Sequence, residues 1–387
     1  MKRQWIIRTV LLLALAPVLS AVAQPNQARM PSFSWNHVPL YMHVQKMKAF
    51  TPAEIRYMAT FPIVVLEKET GVQDFGSTEK GVLAAATAIK AVNPTTKVLY
   101  YLNAVVAYDD YDANAALKAI PDAFLRRSSG NYWMFRNRYH AYNLTNPRVR
   151  DWWVDDVRKV CSNPAVDGVF VDGVIKVDHE GPEQIKGFTA MMKATRRALG
   201  PDKLMIANLL RAQLPDSGLE QLHLFDGSYL ERWDVPMGNV PMKDYVAKGI
   251  AAFQEAARQG YLIAFTAGLG AKVVNLGAGL SDSKETPAHV DAMRKRFTSG
   301  APNPSFSYDL AVFLICADKH SYFYAHSGYR TVNNQAWMAH PPDYDRPLGP
   351  PKGPAVRSGY IYTREFAHAS VRLDVANQTG TITWKAP

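Results

Sequence analysis

The sequence predicts an α/β protein, a (β/α)8 TIM barrel followed by a small C-terminal antiparallel β appendage. Eight short apolar runs alternate with helical patterns, which favours a barrel over an open sheet. Several of these runs end in one polar side chain, as buried parallel strands with a functional group at the carboxyl end do. After residue 340 the pattern changes to a proline-rich crossing and short alternating strands.

Each of the eight predicted barrel strands is short, apolar and flanked by a helical pattern. We place them at residues 40–44, 63–66, 97–102, 168–172, 204–208, 227–231, 262–266 and 322–325. Between the third and fourth strands, residues 105–146 form a long aromatic segment, which we expect to lie as a loop over the rim.

Two helices have clear start signals. The run Thr51-Pro52-Ala53-Glu54 is a capping box with proline at the first helical position. Another helix starts at Asn146-Pro147, and its apolar residues recur at helical spacing: Val149, Trp152, Trp153, Val157 and Val160. We expect the two tryptophans to pack against the barrel rather than to bind sugar.

The appendage is predicted from residues 341–387, with strands at 358–362, 369–374 and 380–384. The barrel then occupies residues 24–340, because residues 1–23 have the pattern of a cleavable signal peptide. Lys2, Arg3 and Arg8 precede a short apolar stretch, and Ala21-Val22-Ala23 is a small-x-small cleavage site. We favour export to the periplasm or beyond over a membrane anchor, because the stretch is short and interrupted by Pro17.

Composition narrows the class of partner. Hydrophobic residues make up 48% of the 387, and the net charge is +10. Removing the three basic residues of the leader leaves 41 basic against 34 acidic residues, a net charge of +7. Since no block of Lys or Arg stands out, we expect no nucleic-acid partner, whereas an anionic glycan or an anionic envelope surface stays open as a partner. We expect no membrane span and a monomer, with Cys161 and Cys316 as buried free thiols.

Three polar side chains end the fourth, fifth and sixth predicted strands: Asp172, Asn208 and Glu231. The carboxyl ends of barrel strands share one rim, so we expect these groups to converge where barrel active sites occur. Gly173 lets the chain turn and a ligand approach. A structural reading stays open for each: a pairing of Asp172 with Lys176, a salt bridge from Glu231, or a satisfied Asn208.

Two carboxylates at one rim suit glycoside hydrolysis, in which one attacks the anomeric carbon and the other protonates the leaving oxygen. Their separation should be ~5–5.5 Å with retention and ~6.5–9.5 Å with inversion. No metal or organic cofactor is needed, and we interpret Asp178-His179-Glu180 as a solvated loop rather than a metal site. Further substrate-binding candidates lie on or near the rim: Tyr41, His43, Glu67, Tyr101, Asn103, Trp233, Thr266, Tyr322 and Tyr324.

Three stretches of the chain resemble a family of exported barrel proteins described as hypothetical glycoside hydrolases, the family numbered fifteen. They are residues 142–153, residues 167–173 and residues 362–366. The placement of Asp172, Asn208 and Glu231 is also similar to that in endo-α-1,4-galactosaminidase-like barrels. The resemblance implies an Asp/Glu pair acting on an α-linked glycan with retention, with Asp172 as nucleophile and Glu231 as acid/base.

A second hypothesis from another class remains: a non-catalytic glycan-binding or envelope-scaffold protein on a degenerate TIM barrel. In that case the aromatic segment before residue 146 would carry the binding. A third is a metal-assisted barrel hydrolase. Turnover, and its response to chelators, would separate the three.

Overall fold

The computed structural model of the chain describes residues 27–231, 233–236, 238–267, 295, 297–325 and 336–386, without the side chains of residues 27, 178–180 and 336. The predicted signal peptide, residues 1–23, lies outside the described part.

Eight parallel strands form the centre of the molecule, in the order β1-β2-β3-β6-β7-β8-β9-β10. A parallel bridge between Leu40 and Phe323 joins the two edges of this sheet and closes the barrel. A hairpin of β4 and β5 lies in the connection after β3. The strands are β1 (Met42–Val44), β2 (Ile63–Leu66), β3 (Lys97–Asn103), β4 (Met134–Phe135), β5 (Tyr139–His140), β6 (Gly168–Asp172), β7 (Leu204–Asn208), β8 (Gly227–Leu230), β9 (Leu262–Ala267) and β10 (Ser321–Ala325).

The barrel and its eight predicted strands are confirmed, with every boundary within two residues of the prediction. Helices of the described residues pack outside the strands, as expected for this fold. They are α1 (Pro52–Met58), α2 (Val72–Phe75), α3 (Thr78–Val92), α4 (Asn114–Lys118), α5 (Pro147–Cys161), α6 (Pro182–Leu199), α7 (Leu219–Leu222), α8 (Met242–Arg258) and α9 (Pro304–Cys316).

The predicted helix starts form as their sequences indicate. The Thr51 hydroxyl accepts the Glu54 N–H at 3.3 Å, and the Glu54 carboxylate accepts the Thr51 N–H at 2.7 Å. Asn146 caps α5 by accepting the Arg148 N–H at 3.0 Å. On the same helix, Trp153 is fully buried and its indole N–H donates to the carbonyl of Asn103 at 3.0 Å. These contacts confirm that α5 packs on the barrel wall through its aromatic face.

The two cysteines are buried and free, as expected. Cys161 ends α5 and Cys316 ends α9. Burial raises the pKa of the Cys161 thiol to about 12, so this thiol stays protonated and unreactive at neutral pH.

The C-terminal residues form a four-stranded antiparallel sheet rather than the three strands expected. Its strands are β11 (Val356–Ser358), β12 (Ile361–Glu365), β13 (Ala369–Asp374) and β14 (Thr379–Trp384). The predicted strand at 358–362 is wrong because the chain reverses at Gly359, which has a φ of +63°. Ser358 and Ile361 therefore face each other in a tight hairpin and belong to different strands.

This sheet packs on α9, where its glycine and its one buried arginine make close contacts. Gly380 lies against the backbone of α9, and a side chain there would meet the Ser307 carbonyl at 2.6 Å. Arg364 donates through Nη1 to the carbonyl oxygens of Leu314, at 2.9 Å, and of Ala317. These two carbonyls belong to the end of α9, where a cation also complements the helix dipole.

The amino-terminal end of the barrel is closed by an ion-pair cluster. Asp226 accepts hydrogen bonds from Arg29 Nε and Arg196 Nη1, both at 2.8 Å. It also accepts the Met205 N–H at 2.8 Å. The charges at this end are thus satisfied internally, and the opposite rim is left to carry the site.

Candidate active site

One amide joins the two carboxylates that the sequence places at the rim. Asp172 is the last residue of β6, Asn208 the last of β7, and Glu231 follows β8. Asn208 Nδ2 donates to Asp172 Oδ1 at 3.2 Å and to Glu231 Oε2 at 3.0 Å. The structure therefore brings the three residues together, with an uncharged donor between two acids.

Asp172 is held by donors from the neighbouring strand. The Tyr101 hydroxyl donates to Oδ2 at 2.6 Å, and Asn103 Nδ2 donates to the same atom at 3.0 Å. Burial acts to raise the pKa of Asp172. The charges of Lys176 and Lys68 and the hydrogen bonds of Tyr101 and the Gly173 N–H outweigh it, so the pKa is lowered. Asp172 is therefore a carboxylate at neutral pH.

The residue after Asp172 must be glycine for this arrangement to form. Gly173 has a φ of +82°, in the left-handed region that side chains disfavour. A Cβ atom at this position would lie 2.5 Å from Asn103 Oδ1. The Gly173 position thus keeps open the space in which Asn103 reaches Asp172.

Glu231 is paired with a buried cation. Arg211 Nη2 donates to Glu231 Oε2 at 2.6 Å and to Asn208 Oδ1 at 2.8 Å. Arg211 also donates through Nη1 to the backbone carbonyl of Glu231. Asn208, at the end of β7, and Arg211, in the loop after it, therefore hold the orientation of Glu231, and both donate to its Oε2.

A second polar cluster, of His43, Glu67 and Lys68, lines the cavity on β1 and just after β2. His43 Nε2 and Glu67 Oε1 are 2.7 Å apart, and Lys68 Nζ donates to Glu67 Oε2 at 2.7 Å. Burial acts to raise the pKa of Glu67, but Lys68 and His43 outweigh it and the pKa is lowered. The Lys68 ammonium also lies 4.8 Å from the ring centroid of Tyr101.

Three rings form the floor of the site. The centroid distances are 5.0 Å for His43 and Phe170, 5.1 Å for His43 and Tyr229, and 5.5 Å for Phe170 and Tyr229. Tyr101 stacks on Phe170 with its ring plane tilted by 17°. This floor separates the polar groups of the rim from the apolar interior below.

A cavity of about 420 Å³ opens above the floor, within the range of sites that bind small ligands. Its roof comes from the aromatic segment after β3, as expected: Phe135 and Tyr139 of the hairpin and Tyr108 line it. Lys176, in the turn after β6, also lines it, and its Nζ lies 5.1 Å from the Phe135 centroid. The cavity thus offers ring faces and charged groups around the two acids.

Seven of the predicted site residues lie at or beside this cavity. Asp172, Glu231, Asn208, His43 and Glu67 line it, and Tyr101 and Asn103 support Asp172 from β3. Contact with substrate remains a prediction for all of them.

The other five predicted site residues do not line the cavity: Tyr41, Trp233, Thr266, Tyr322 and Tyr324. The Tyr41 hydroxyl bonds to Thr266 inside the barrel, and neither residue lines the cavity. Trp233 turns away from the rim, packs on Phe265 and donates to the Thr266 carbonyl at 2.8 Å.

The two tyrosines of β10 also lie outside the cavity lining. Tyr322 donates to the carbonyls of Pro31 and Ser32, at 3.2 and 3.1 Å, near the amino-terminal end of the barrel. It is the second residue of β10, so it lies far from the carboxyl rim. Tyr324 is fully buried and donates to the Trp337 carbonyl at 3.0 Å.

The site also holds cations that sequence reasoning missed: Lys68, Arg136 and Arg211. Lys68 and Arg211 lie in the loops that follow β2 and β7, within three residues of Glu67 and Asn208. A search of those loops for counter-ions to the predicted acids would have found both. Arg136 lies at the tip of the hairpin with a φ of +52°, and no pattern in the sequence indicates its position.

Within the described part of the chain, no three His, Cys, Asp or Glu side chains are grouped as metal ligands, and no helix could cross a bilayer. The side chains of Asp178, His179 and Glu180 lie outside that part.

A TIM barrel with two carboxylates at the carboxyl ends of its strands has the arrangement that glycoside hydrolysis requires. Over residues 90–370, more than two thirds of its length, the chain matches the family described as hypothetical glycosyl hydrolase family 15. The chain belongs to this family, and is thus a glycoside hydrolase by membership. Among curated proteins, none matches the sequence.

Solved structures with a similar chain path include three carbohydrate-active enzymes. The glycoside hydrolase domain of PelA from Pseudomonas aeruginosa is 14% identical, over 68% of this chain and 91% of that one, with a TM-score of 0.44. The maltogenic α-amylase AmyB from Thermotoga neapolitana is 11% identical over 87% and 85%, with a TM-score of 0.49. An α-amylase from Lactobacillus plantarum is 13% identical over 87% of each chain, also with a TM-score of 0.49. At these values nothing about substrate follows from the similarity.

Proposed function

We propose that the protein is an exported glycoside hydrolase that cleaves an α-linked poly- or oligosaccharide with retention. Asp172 is the nucleophile and Glu231 the acid/base. The observation that carries the proposal is the amide of Asn208, which donates to both carboxylates at 3.2 and 3.0 Å. The α-linkage rests on the resemblance to galactosaminidase-like barrels alone.

The distances from the shared amide support retention. Because one amide nitrogen reaches Asp172 Oδ1 at 3.2 Å and Glu231 Oε2 at 3.0 Å, these two oxygens lie no more than about 6.2 Å apart. A pair of carboxyl groups ~5–5.5 Å apart acts by retention, whereas inversion needs ~6.5–9.5 Å for a water between them. The bridge therefore favours direct attack by one carboxylate.

Asp172 suits the nucleophile because its surroundings favour the ionised form. Its two oxygens accept three side-chain hydrogen bonds, and its pKa is lowered. These donors fix its orientation towards the cavity: Oδ2 accepts two of the bonds and Oδ1 one, so we assign the attack to Oδ1. In the first step Asp172 forms a bond to the anomeric carbon while the bond to the leaving oxygen breaks.

Glu231 suits the acid/base because only one of its oxygens is used. Asn208 and Arg211 both donate to Oε2, which leaves Oε1 for the glycosidic oxygen. In the first step Glu231 gives the proton on Oε1 to the leaving oxygen and becomes a carboxylate paired with Arg211. In the second step it takes a proton from water as that water attacks the glycosyl ester and releases Asp172.

The remaining polar groups suit the recognition of sugar hydroxyls. His43, Glu67 and Lys68 line the cavity and are joined to one another by hydrogen bonds of 2.7 Å. Tyr108, Phe135 and Tyr139 supply ring faces on which the apolar face of a sugar can stack. Export belongs to the proposal as well, and mass spectrometry of the secreted chain should find Gln24 at its amino terminus.

The test is the activity of Asp172→Asn and Glu231→Gln on a panel of bacterial and plant glycans. We expect each variant to lose about a thousandfold or more in kcat on any glycan that the wild type cleaves. Glu183→Gln, an exposed acid on α6, serves as the matched control. If both site variants match the wild-type rate, the assignment is wrong. Binding that is retained without turnover, in wild type and Asp172→Asn alike, would favour the scaffold hypothesis.

Retention has a separate readout. Proton NMR of the first product should show the same anomer as the bond that was cleaved, before mutarotation mixes the two forms. Appearance of the opposite anomer would mean inversion and would remove the nucleophilic role of Asp172, even if the variants are inactive.

A further inference from the structure

Lys68 is a buried lysine whose ammonium lies over two tyrosine rings. Its Nζ is 4.8 Å from the ring centroid of Tyr101 and 5.2 Å from that of Tyr108, and both distances are within the range of a cation–π contact. Lys68 is 9% exposed, so water competes little for these contacts. One ammonium therefore contacts a ring of β3 and a ring of the segment that follows β3.

The two rings belong to different parts of the site. Tyr101 lies on β3, where its hydroxyl donates to Asp172 Oδ2 at 2.6 Å. Tyr108 lines the cavity as part of its roof, and its ring centroid lies 4.8 Å from that of Tyr139 on β5. Lys68 thus connects the tyrosine that holds Asp172 to the aromatic roof.

The position of the ammonium is set from the barrel side. Lys68 Nζ donates to Glu67 Oε2 at 2.7 Å, and Glu67 directly follows β2. The other oxygen of Glu67 lies 2.7 Å from His43 Nε2 on β1, and Glu67 is itself buried. The barrel therefore anchors the cation, and the roof is the part whose position depends on it.

We propose that Lys68 is a positioning residue for Asp172, whose ammonium ties the aromatic roof of the cavity to the side of the barrel mouth that holds this carboxylate. The role of Asp172 as nucleophile rests on the proposed function, whereas the contact with the roof does not. The charge of Lys68 also acts on Asp172 directly: after Lys176 and the Tyr101 hydroxyl, it helps to keep the pKa of that carboxyl low.

Hydrogen exchange of the chain, with no glycan present, tests the contact with the roof. In Lys68→Met we expect the amides of residues 105–112 and 132–142 to exchange about tenfold faster, because two cation–π contacts are lost from a buried place. Lys68→Arg keeps a cation that can stack on aromatic rings, so it should restore most of the protection. The amides of β13, in the C-terminal sheet, are the internal reference and should exchange as in the wild type.

Two comparisons separate the ring contacts from the ion pair. Lys80→Met is the matched control, because Lys80 pairs with Asp112 in the same segment but both side chains are more than half exposed. A surface pair of this kind stabilises little, so exchange of the roof should not change. Glu67→Gln removes the ion pair of Lys68 and keeps the ammonium. Adding Lys68→Met to Glu67→Gln should therefore still speed exchange of the roof, relative to Glu67→Gln alone.

The kcat/KM profile on a cleaved glycan provides a readout that a purely structural role of Lys68 would not move. Loss of the Lys68 charge raises the pKa of Asp172, so in Lys68→Met we expect the acid limb to move up by roughly half a pH unit. Lys68→Arg should keep the wild-type limb. The other groups that face Asp172 stay in place in both variants: Lys176 after β6, Tyr101 and Asn103 of β3, Tyr108 of the roof, Asn208 of β7 and, through Asn208, Glu231.

Three results would overturn the proposal. The first is unchanged exchange of the roof in Lys68→Met, even with a raised KM, because Lys68 would then be a substrate contact only. The second is faster exchange that extends equally to β13, which would mean a loss of overall stability. The third is an acid limb that does not move. The proposed function fails separately, when Asp172→Asn and Glu231→Gln keep the wild-type rate or the wild type cleaves no glycan, and the exchange experiment then decides the roof contact alone.

Discussion

After the charge of Lys176, the hydroxyl of Tyr101 does most to keep Asp172 ionised, and it makes the shortest side-chain hydrogen bond to that carboxylate, 2.6 Å. Tyr101→Phe removes this donor but keeps the ring that stacks on Phe170. The hydrogen bond lowers the pKa of Asp172, so its loss raises that pKa. We therefore expect the acid limb of the kcat/KM profile to move up by roughly one pH unit, with the alkaline limb unchanged.

Tyr100→Phe is the control for this shift. Tyr100 is the preceding residue of β3, and its hydroxyl donates to Asp156 on α5 at 2.8 Å. The acid limb of the kcat/KM profile of Tyr100→Phe should match that of the wild type. An unmoved acid limb in Tyr101→Phe would contradict the role given to Asp172.

Arg211 is the second residue on which the site depends. It is buried, and it bonds to the side chain and the backbone of Glu231. Arg211→Met leaves Glu231 without its counter-ion and without a fixed orientation, so we expect kcat to fall about a hundredfold or more. Circular dichroism should show a folded barrel.

Arg138→Met provides a comparison for Arg211. Arg138 lies in the roof hairpin, but it is exposed and pairs with the exposed Asp109. Its kcat should stay within about twofold of wild type. A wild-type kcat in Arg211→Met would show that Glu231 needs no support from the loop after β7.

Asp172, Glu231 and Asn208 could be predicted as neighbours because polar residues at the carboxyl ends of apolar barrel strands all lie at one rim. Lys68 and Arg211 lie in loops, where no periodicity fixes the direction of a side chain, so only their closeness in sequence to Glu67 and Asn208 could have indicated them. For Arg136 the sequence carries no such signal. For Tyr322 the strand was predicted correctly but the site role was not, because this residue lies near the amino-terminal end of β10, away from the rim that carries the site.

At the scale of the element, α5 carries a buried acid that is unrelated to the site. Asp156 accepts the Tyr100 hydroxyl, and burial, followed by the charge of Glu79, raises its pKa from 3.8 to about 7. A folded chain that binds this proton more tightly than the unfolded chain becomes less stable as the pH rises between those two values. Asp156→Asn removes that loss and can still pair with Tyr100.

We therefore expect Asp156→Asn to gain stability over the wild type as the pH rises from 4 to 8, by up to ~2–4 kcal/mol. Urea denaturation at several pH values measures the difference. Asp155→Asn is the control, since Asp155 is exposed and its hydrogen bonds with Lys159 and Arg158 lower its pKa. It should show no such gain. A constant difference between Asp156→Asn and wild type would contradict the buried-acid account.

Elements with a clear hydrophobic pattern could be predicted from the sequence, whereas elements whose ends depend on a single turn could not. The barrel strands are buried on both faces, so their apolar runs stop where burial stops. β11 is exposed and only three residues long, and one left-handed Gly359 divides what otherwise reads as a single strand. The aromatic segment after β3 could be placed over the rim, but its hairpin could not be foreseen.

At the scale of the molecule, the C-terminal sheet is tied to the barrel rather than attached loosely. Arg364 reaches the end of α9, and Leu348 and Gly349 of the proline-rich crossing donate to the carbonyls of Asn36 and Trp35 at 3.1 and 2.7 Å. Contacts of this kind couple the unfolding of the two parts. We expect one cooperative transition for sheet and barrel in urea.

Arg364→Met tests this coupling. It keeps the apolar stem but removes two charge-assisted hydrogen bonds from a buried site, so we expect a loss of ~2–4 kcal/mol in the free energy of unfolding. Arg372→Met, at an exposed position of β13, should change it by less than about 0.5 kcal/mol. Two separate transitions, in either the wild type or Arg364→Met at low denaturant, would show that the sheet is not a part of the barrel's cooperative unit.

The most direct measurement is peptide mapping of the chain after reaction with fluorinated glycosyl fluorides, which trap the glycosyl ester of a retaining enzyme. Asp172 is expected to carry the sugar, and Asp172→Asn should carry none. A label on Glu231, on another residue, or on none while the wild type still cleaves a glycan would contradict the account.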